Sequence, residues 1–462
     1  MVFASLEFLT LFLPAFLLLY FLTPRARRNL TLLVGSWIFY AWWSPKFLLL
    51  IIALTLVAWI AAIAIEESAS EPGRTRIMAL AIVANVACLA WFKYANVVVL
   101  PLGALVAGHE SGFAWEPVVL PIALSFTVLH AISYIVDVRR GVVRAQRRPV
   151  AFAAYMAMFP HLIAGPVVRY RVIQLELAAR VASLQQFGAG ARRFMIGFSM
   201  KVLLADPLAP IVTLVFGMAN PSFADAWMGC AAYTLQLFFD FAGYSAMAIG
   251  LALMLGLRFE ENFDHPYLAV SIRDFWRRWH MTLSSWLRDY LYIPLGGDRS
   301  GARRTYLNIM LTMAIGGMWH GADSWNFLLW GLIHGAAIST ARAAVARGVR
   351  LPANVSRVLT LLVVMLAWTV FRADGIHAAV AMLAGQLGAQ GFAPSHELAL
   401  AMRPLTLATL VAGIVCVVYP ATRMARAAGP TAWRTAWPPI VFLYAVVVLT
   451  GQKTIPFLYF QF

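Results

Sequence analysis

The apolar runs of this sequence are as long as a bilayer is thick, and they recur along the whole chain. Leu6–Leu22, Ile77–Leu100, Val118–Val136 and Trp227–Leu257 each approach or exceed ~18 residues, the length at which an apolar helix crosses the hydrocarbon core. Of 462 residues, 62% are hydrophobic and only 12% charged, more apolar surface than a soluble fold can hide from water. The expected fold is all-α: a polytopic helical membrane protein of about ten to twelve transmembrane segments, with broken or re-entrant helices around a central tunnel.

The net charge of +16 would suggest nucleic acid in a soluble protein. Here the bases sit in short loops: Arg25, Arg27 and Arg28; Arg139, Arg140, Arg144, Arg147 and Arg148; Arg342, Arg347 and Arg350; Arg423 and Arg426. That is the positive-inside pattern, so these loops read as cytoplasmic and no nucleic-acid partner is expected. The first run has no basic n-region and carries Glu7, so it reads as a first helix entered from outside, not as a cleaved signal. A hairpin follows over Leu30–Ile65, turning at Ser44–Pro45. Next come a span interrupted at WFKYAN (91–96), a base-free outer loop over Pro101–Pro117 and a return over Val118–Val136. In the stretch 151–171, Pro160, Gly165 and Pro166 break any helix around His161, which predicts a re-entrant or half-helix element or else a surface loop. Later spans are Phe194–Met218, Trp227–Leu257, the hairpin Thr305–Ala341, Val358–Phe371, Leu405–Tyr419 and Ile440–Thr450. One membrane domain is expected over 1–462, with N-terminal helices at 6–136, a catalytic core at 151–345 and C-terminal helices at 356–455. Cys88, Cys230 and Cys416 lie far apart in apolar stretches, and no metal-ligand spacing is present.

Chemistry concentrates between Phe263 and Gly335. Ser271–Tyr290 lacks Gly and Pro and reads as one helix, with Arg277, His280 or Met281, Ser284 and Arg288 near one face and Phe275, Trp279, Leu283, Trp286 and Tyr290 on the other. Each arginine at the bilayer centre costs roughly 2.5–3.5 kcal/mol, so this helix belongs at an interface or in a polar groove. Further on, Gly316–Gly317 is expected to loosen a helix just before Trp319–His320–Gly321. Histidine takes and returns a proton near neutral pH, which an alcohol attacking a thioester requires. Trp319, Asn326 and glycine-flanked amides are candidate oxyanion donors. Arg277, Arg278 and Arg288 can hold the phosphates of an acyl carrier or pair with lipid headgroups. Ser284, four residues after His280, permits a Ser–His nucleophile but no third orienting group is evident. Tyr233, Gln236, Asp240 and Tyr244 form a polar stripe on one helix face; Asp240 either lines a substrate path or holds an arginine from a neighbouring helix. His334 reads as a packing histidine, His130 as a weaker candidate for the path, and His109 as unremarkable.

Several long motifs, taken together, carry a resemblance: RNLTLLVGSWIFYAWW, WFKYAN, LPIALSFTVLHAISYIVDVRRG, MFPHLIAGPVVRY, QLFFDFAGYSAMAIGLALMLGLRFEENF, DFWRRWHMTLSSWLRDYLYIPLGG and GGMWHGADSWNFLLWGLIHG. Over nearly all its length the chain resembles the membrane-bound O-acyltransferase family, above all its bacterial branch serving polysaccharides such as alginate. The resemblance implies transfer of an acyl group, acetyl here, from a cytoplasmic thioester such as acetyl-CoA through a membrane tunnel, with no permanently bound cofactor. It implies the inner membrane and a periplasmic polysaccharide acetyltransferase or SGNH-like partner. It places the catalytic histidine at His320, as base or acyl relay, and the second family histidine at His280. Where relatives often read FSGYSDMAIG, this chain has Ala242 and Ala246. The rival reading is a transporter or channel without chemistry, and a weaker one a passive anchor.

Overall fold

Proline and small polar residues set most of the turns. The computed structural model describes residues 2–107, 115–299, 301–321, 324–419, 431–451 and 457–458, and the described backbone is helical without strands. Among the described residues six helices are long and apolar enough to cross a membrane. Leu80 and Val447 expose 71% and 67% of their surface, and Leu49 and Val358 are similarly bare. Apolar surface on that scale requires lipid as its solvent. The protein is a multi-pass helical membrane protein. His109 and the loop bearing Arg423 and Arg426 lie outside the described residues.

Two compact units form, Met1–Ala191 with Ala248–Glu260 and Arg192–Met247 with Glu261–Phe462. In the first, α1 (Leu13–Leu22), α2 (Arg28–Ala41) and α3 (Pro45–Glu67) follow one another, and α3 starts at Pro45, whose fixed φ suits a first helical turn. α4 (Glu71–Ala107) runs unbroken through WFKYAN, contrary to the expected interruption, and takes in the first residues of the expected outer loop, of which 108–114 lie outside the described residues. Its polar residue Asn96 is satisfied without breaking the helix: its Oδ1 accepts from Trp115 Nε1 at 3.0 Å and Val118 N at 2.8 Å. After α5 (Leu124–Arg139) the backbone does break, between α6 (Pro149–Ala157) and α7 (Phe159–Leu162), before resuming in α8 (Tyr170–Ala178). Every residue from Ala154 to Tyr170 is buried, so this is interior broken backbone and not a surface loop. The freed groups are paired within the protein, as membrane depth demands: Phe159 N donates to Ser36 Oγ and Tyr155 Oη to the Val168 carbonyl, both at 3.0 Å.

The second unit holds the site. α9 (Leu184–Ser199) passes into a π-helical turn at Met200–Ala205 and then α10 (Ala209–Phe216). α9 crosses α11 (Phe223–Met254) so closely that a Cβ on Gly197 would lie 2.4 Å from the Gly243 carbonyl oxygen. α14 (Gly301–His320) and α15 (Asn326–Ala346) form a hairpin, backed by α16 (Ala353–Arg372). Gly317 does not loosen α14, which stays helical to His320. A Cβ there would meet the Phe327 carbonyl oxygen at 2.2 Å, so the glycine serves contact between the two helices.

The single helix expected over 271–290 is broken. α12 (Ile272–Trp276) ends, His280 adopts a left-handed conformation at φ 42°, and α13 (Met281–Leu287) begins anew. Asn262 causes the bend, its carbonyl accepting the Met281 N–H at 2.9 Å and its side chain holding His280 and Thr282. Arg277, His280, Ser284 and Arg288 therefore do not share one helical face.

Candidate active site

His320 is the last residue of α14, half-buried among aromatic rings. Trp319 lies 5.0 Å away centroid to centroid, Trp330 at 5.2 Å and Phe371 at 5.5 Å, each edge-on. Trp330 stacks in turn on Trp368 at 5.8 Å, so α14, α15 and α16 each contribute rings to one wall. A cavity of about 20 Å³ borders His320, room for about one water-sized group. Trp279, Trp330, Trp368 and Phe371 line it from the α12–α16 side, and Leu237, Asp240 and Phe241 from α11. Its remaining lining residues, Phe457 and Leu458, come from the segment beyond α17 (Thr431–Thr450).

Asp240 brings charge to this apolar space. Tyr233, Gln236, Asp240 and Tyr244 are all buried, and Asp240 is the stripe's member on the cavity. It holds a lysine, not the arginine expected as one alternative: Lys201 Nζ sits 2.7 Å from Asp240 and 2.5 Å from Asp206. The π-helical turn carries Lys201 between the two carboxylates. A buried ion group of this kind persists only when each charge has its partner, and here the pairing is complete on the lysine side. Asp240 Oδ2 also accepts the Leu458 N–H at 2.9 Å. Tyr244 does not line the cavity; its ring stacks on Phe457 at 4.6 Å.

His280 is buried and is not among the cavity's lining residues. Its ring stands edge-on to Phe241, at 4.7 Å, and Phe241 faces the cavity. Asn262 Nδ2 donates to Ser245 Oγ at 3.0 Å, which leaves Asn262 Oδ1 to accept from Thr282 Oγ1 at 2.8 Å and from His280 Nδ1 at 3.0 Å. That network assigns the proton to Nδ1 and the lone pair to Nε2, which has no protein partner. The Ser284 hydroxyl donates to the Trp279 carbonyl at 3.2 Å and so caps the turn. Arg278 pairs with Asp274 at 2.9 Å and Arg288 with Asp289 at 2.8 Å. Arg277 is exposed and makes no ion pair among the described residues. The Asn326 amide donates to the Ala373 carbonyl at 2.7 Å and is not aimed at the cavity as an oxyanion donor. His334 accepts from Trp276 Nε1 at 3.3 Å in the packed interior.

A profile of the MBOAT, membrane-bound O-acyltransferase family matches residues 38–372. The chain belongs to the membrane-bound O-acyltransferase family. It is similar to probable alginate O-acetylases AlgI of Azotobacter vinelandii and Pseudomonas putida, 42% identical to each with all of both chains covered. It is also similar to the peptidoglycan O-acetyltransferase of Helicobacter pylori, 33% identical over 84% of this chain and 80% of that one. The protein is thus an O-acyltransferase. The family match takes in His280, His320, Asp240 and the rings of α15 and α16, whereas Phe457 and Leu458 lie outside it. Lys201, Asn262 and these last two residues escape a reading of the sequence alone. Lys201 and Asn262 are lone polar residues whose partners are far along the chain, and Phe457–Leu458 looks like any other apolar pair.

Proposed function

We propose that this membrane-bound O-acyltransferase moves an acetyl group from acetyl-CoA, bound on the cytoplasmic side of the bacterial inner membrane, to an acceptor hydroxyl serving O-acetylation of an exported polysaccharide such as alginate. The names of the similar proteins support the acetyl group and the polysaccharide. The observation carrying the chemistry is His320 on the edge of a small, ring-walled cavity. His320 is the general base: as the acceptor oxygen bonds to the acetyl carbonyl carbon, the imidazole takes the hydroxyl proton. The carbon–sulfur bond then breaks, and the proton passes to the departing thiolate. Low-dielectric walls strengthen each electrostatic contact to the developing charge, and a cavity of this size favours transfer of a two-carbon group over passage of a saccharide. Arg277, free of carboxylate partners among the described residues, is the basic residue best suited to meet the phosphates of the donor, whereas Arg278 and Arg288 already pair with Asp274 and Asp289. His280 orients Phe241 and hence the cavity wall. The receiving partner is a periplasmic polysaccharide acetyltransferase or SGNH-like protein.

The test is label transfer in proteoliposomes supplied with radiolabelled acetyl-CoA on one side and the partner protein on the other. The wild type is expected to label the partner, and the His320→Ala variant to leave it unlabelled. Full labelling by His320→Ala would overturn the role of this residue.

A further inference from the structure

Two residues of the cavity wall do not belong to the helical bundle around His320. Phe457 and Leu458 are buried and border the cavity, yet they sit on a segment beyond α17 and outside the region that matches the family. They are fixed there by specific contacts. The Phe457 ring stacks on Tyr244 at 4.6 Å, with planes 30° apart, and tilts against Phe241 at 5.9 Å. The Leu458 amide donates to Asp240 at 2.9 Å, and Asp240 is itself held by Lys201. The buried Lys201–Asp240 pair thus anchors a stretch of main chain whose side chains close the cavity down to about 20 Å³. Space of that size takes about one water-sized group, comparable with the methyl of an acetyl group.

We propose that Phe457, seconded by Leu458, sets the length of the acyl group this protein transfers. The inference rests on the acyl-transfer reading given above and adds the residues that select the donor. The other walls are Trp279 and side chains of α11, α14, α15 and α16, packed into the bundle, so their removal disturbs the fold. Phe457 borders the cavity and packs on Tyr244 and Phe241, so its truncation enlarges the cavity on that side. One methylene in an apolar pocket changes discrimination by roughly 10- to 200-fold, so loss of the phenyl ring is enough to admit two more carbons.

The experiment compares acetyl-, propionyl- and butyryl-CoA as donors for the reconstituted full chain, reading kcat/KM for each. The wild type is expected to prefer acetyl over butyryl by at least about 100-fold. Phe457→Ala is expected to cut that preference by about 10-fold or more, chiefly through a gain on butyryl-CoA, and Leu458→Ala to cut it less. Phe457→Trp is expected to lower transfer of acetyl itself. Because Phe457→Leu keeps an apolar side chain in the wall, it serves if the alanine variant does not fold, with an intermediate shift expected. Wild-type transfer of acetyl with an unchanged donor ratio in Phe457→Ala and Phe457→Leu would overturn the proposal. Absence of transfer from every donor by the wild type would instead overturn the function on which it rests.

Discussion

His161 in the first unit and His320 in the second each sit where a helix ends among aromatic rings. Around His161 the protein is sealed. Nε2 bonds the Tyr155 carbonyl at 2.8 Å, His130 stacks on one face at 4.4 Å, and Phe259 stacks at 5.6 Å. His320 is only half-buried, its rings stand edge-on, and a cavity opens beside it with a charged pair on its rim. Broken backbone and a histidine are therefore not enough to make a site. The first break is closed by packed rings and main-chain hydrogen bonds; the second keeps space for a reacting group and charge to act on it. The difference also shows in what holds each region: main-chain carbonyls and hydroxyls in one, the Lys201–Asp206–Asp240 cluster in the other.

Several substitutions break or sharpen this contrast. The largest effect is expected at His320. Replacing it with Gln removes the base and should lower the rate of acetyl transfer by about 10²- to 10⁴-fold, measured as label on the partner protein. Next comes Lys201→Met, which leaves two carboxylates buried without a cation. It should destabilise the second unit by about 3–5 kcal/mol, read from thermal unfolding in detergent, and so separate the charged region from its neutral counterpart. Asp240→Asn keeps an acceptor for the Leu458 N–H and should cost less. Gly317→Ala drives a methyl into the Phe327 carbonyl and should cost about 1–3 kcal/mol by overpacking α14 against α15, with transfer impaired through the misplaced His320. The smallest effect is at the loop before α14. There the Tyr292 hydroxyl, and then Arg342, hold the Asp298 carboxyl below its usual range. Its contribution is present above the ordinary carboxylate pKa of about 4 and fades as pH falls through the lower folded value. The Arg342–Asp298 pair is exposed, so Asp298→Asn should cost no more than about 0–1 kcal/mol at neutral pH, by the same unfolding measurement.

Much of the architecture was legible because its causes are local. Proline marks the start of α3 at Pro45, and Pro160 with Gly165 and Pro166 marks the interior break. The length of the apolar runs identifies spanning helices without knowledge of any partner. The motif around Trp319–His320–Gly321 identified the residue that meets the cavity. What failed depended on distant groups. The left-handed turn at His280 is made by Asn262, eighteen residues earlier along the chain, and no periodicity announces it. WFKYAN looked like an interruption because its polar residues had no visible partners; Asn96 finds them at Trp115 and Val118. Gly316–Gly317 was expected to soften a helix, and only the neighbouring Phe327 backbone reveals that it tightens a crossing. Asp240 was expected to line a path or to hold an arginine; it lines the cavity and holds Lys201, a lone base inside an apolar run.

The most direct test sets the two histidines side by side. His320→Gln and His161→Gln are reconstituted at equal amounts, and initial rates of acetyl transfer are measured with the same labelled donor and partner. The expected result is a loss of at least about 100-fold for His320→Gln and a rate within a few-fold of wild type for His161→Gln. Equal losses in the two, or a larger loss at His161, would contradict the claim that the open cavity beside His320 is where the chemistry happens.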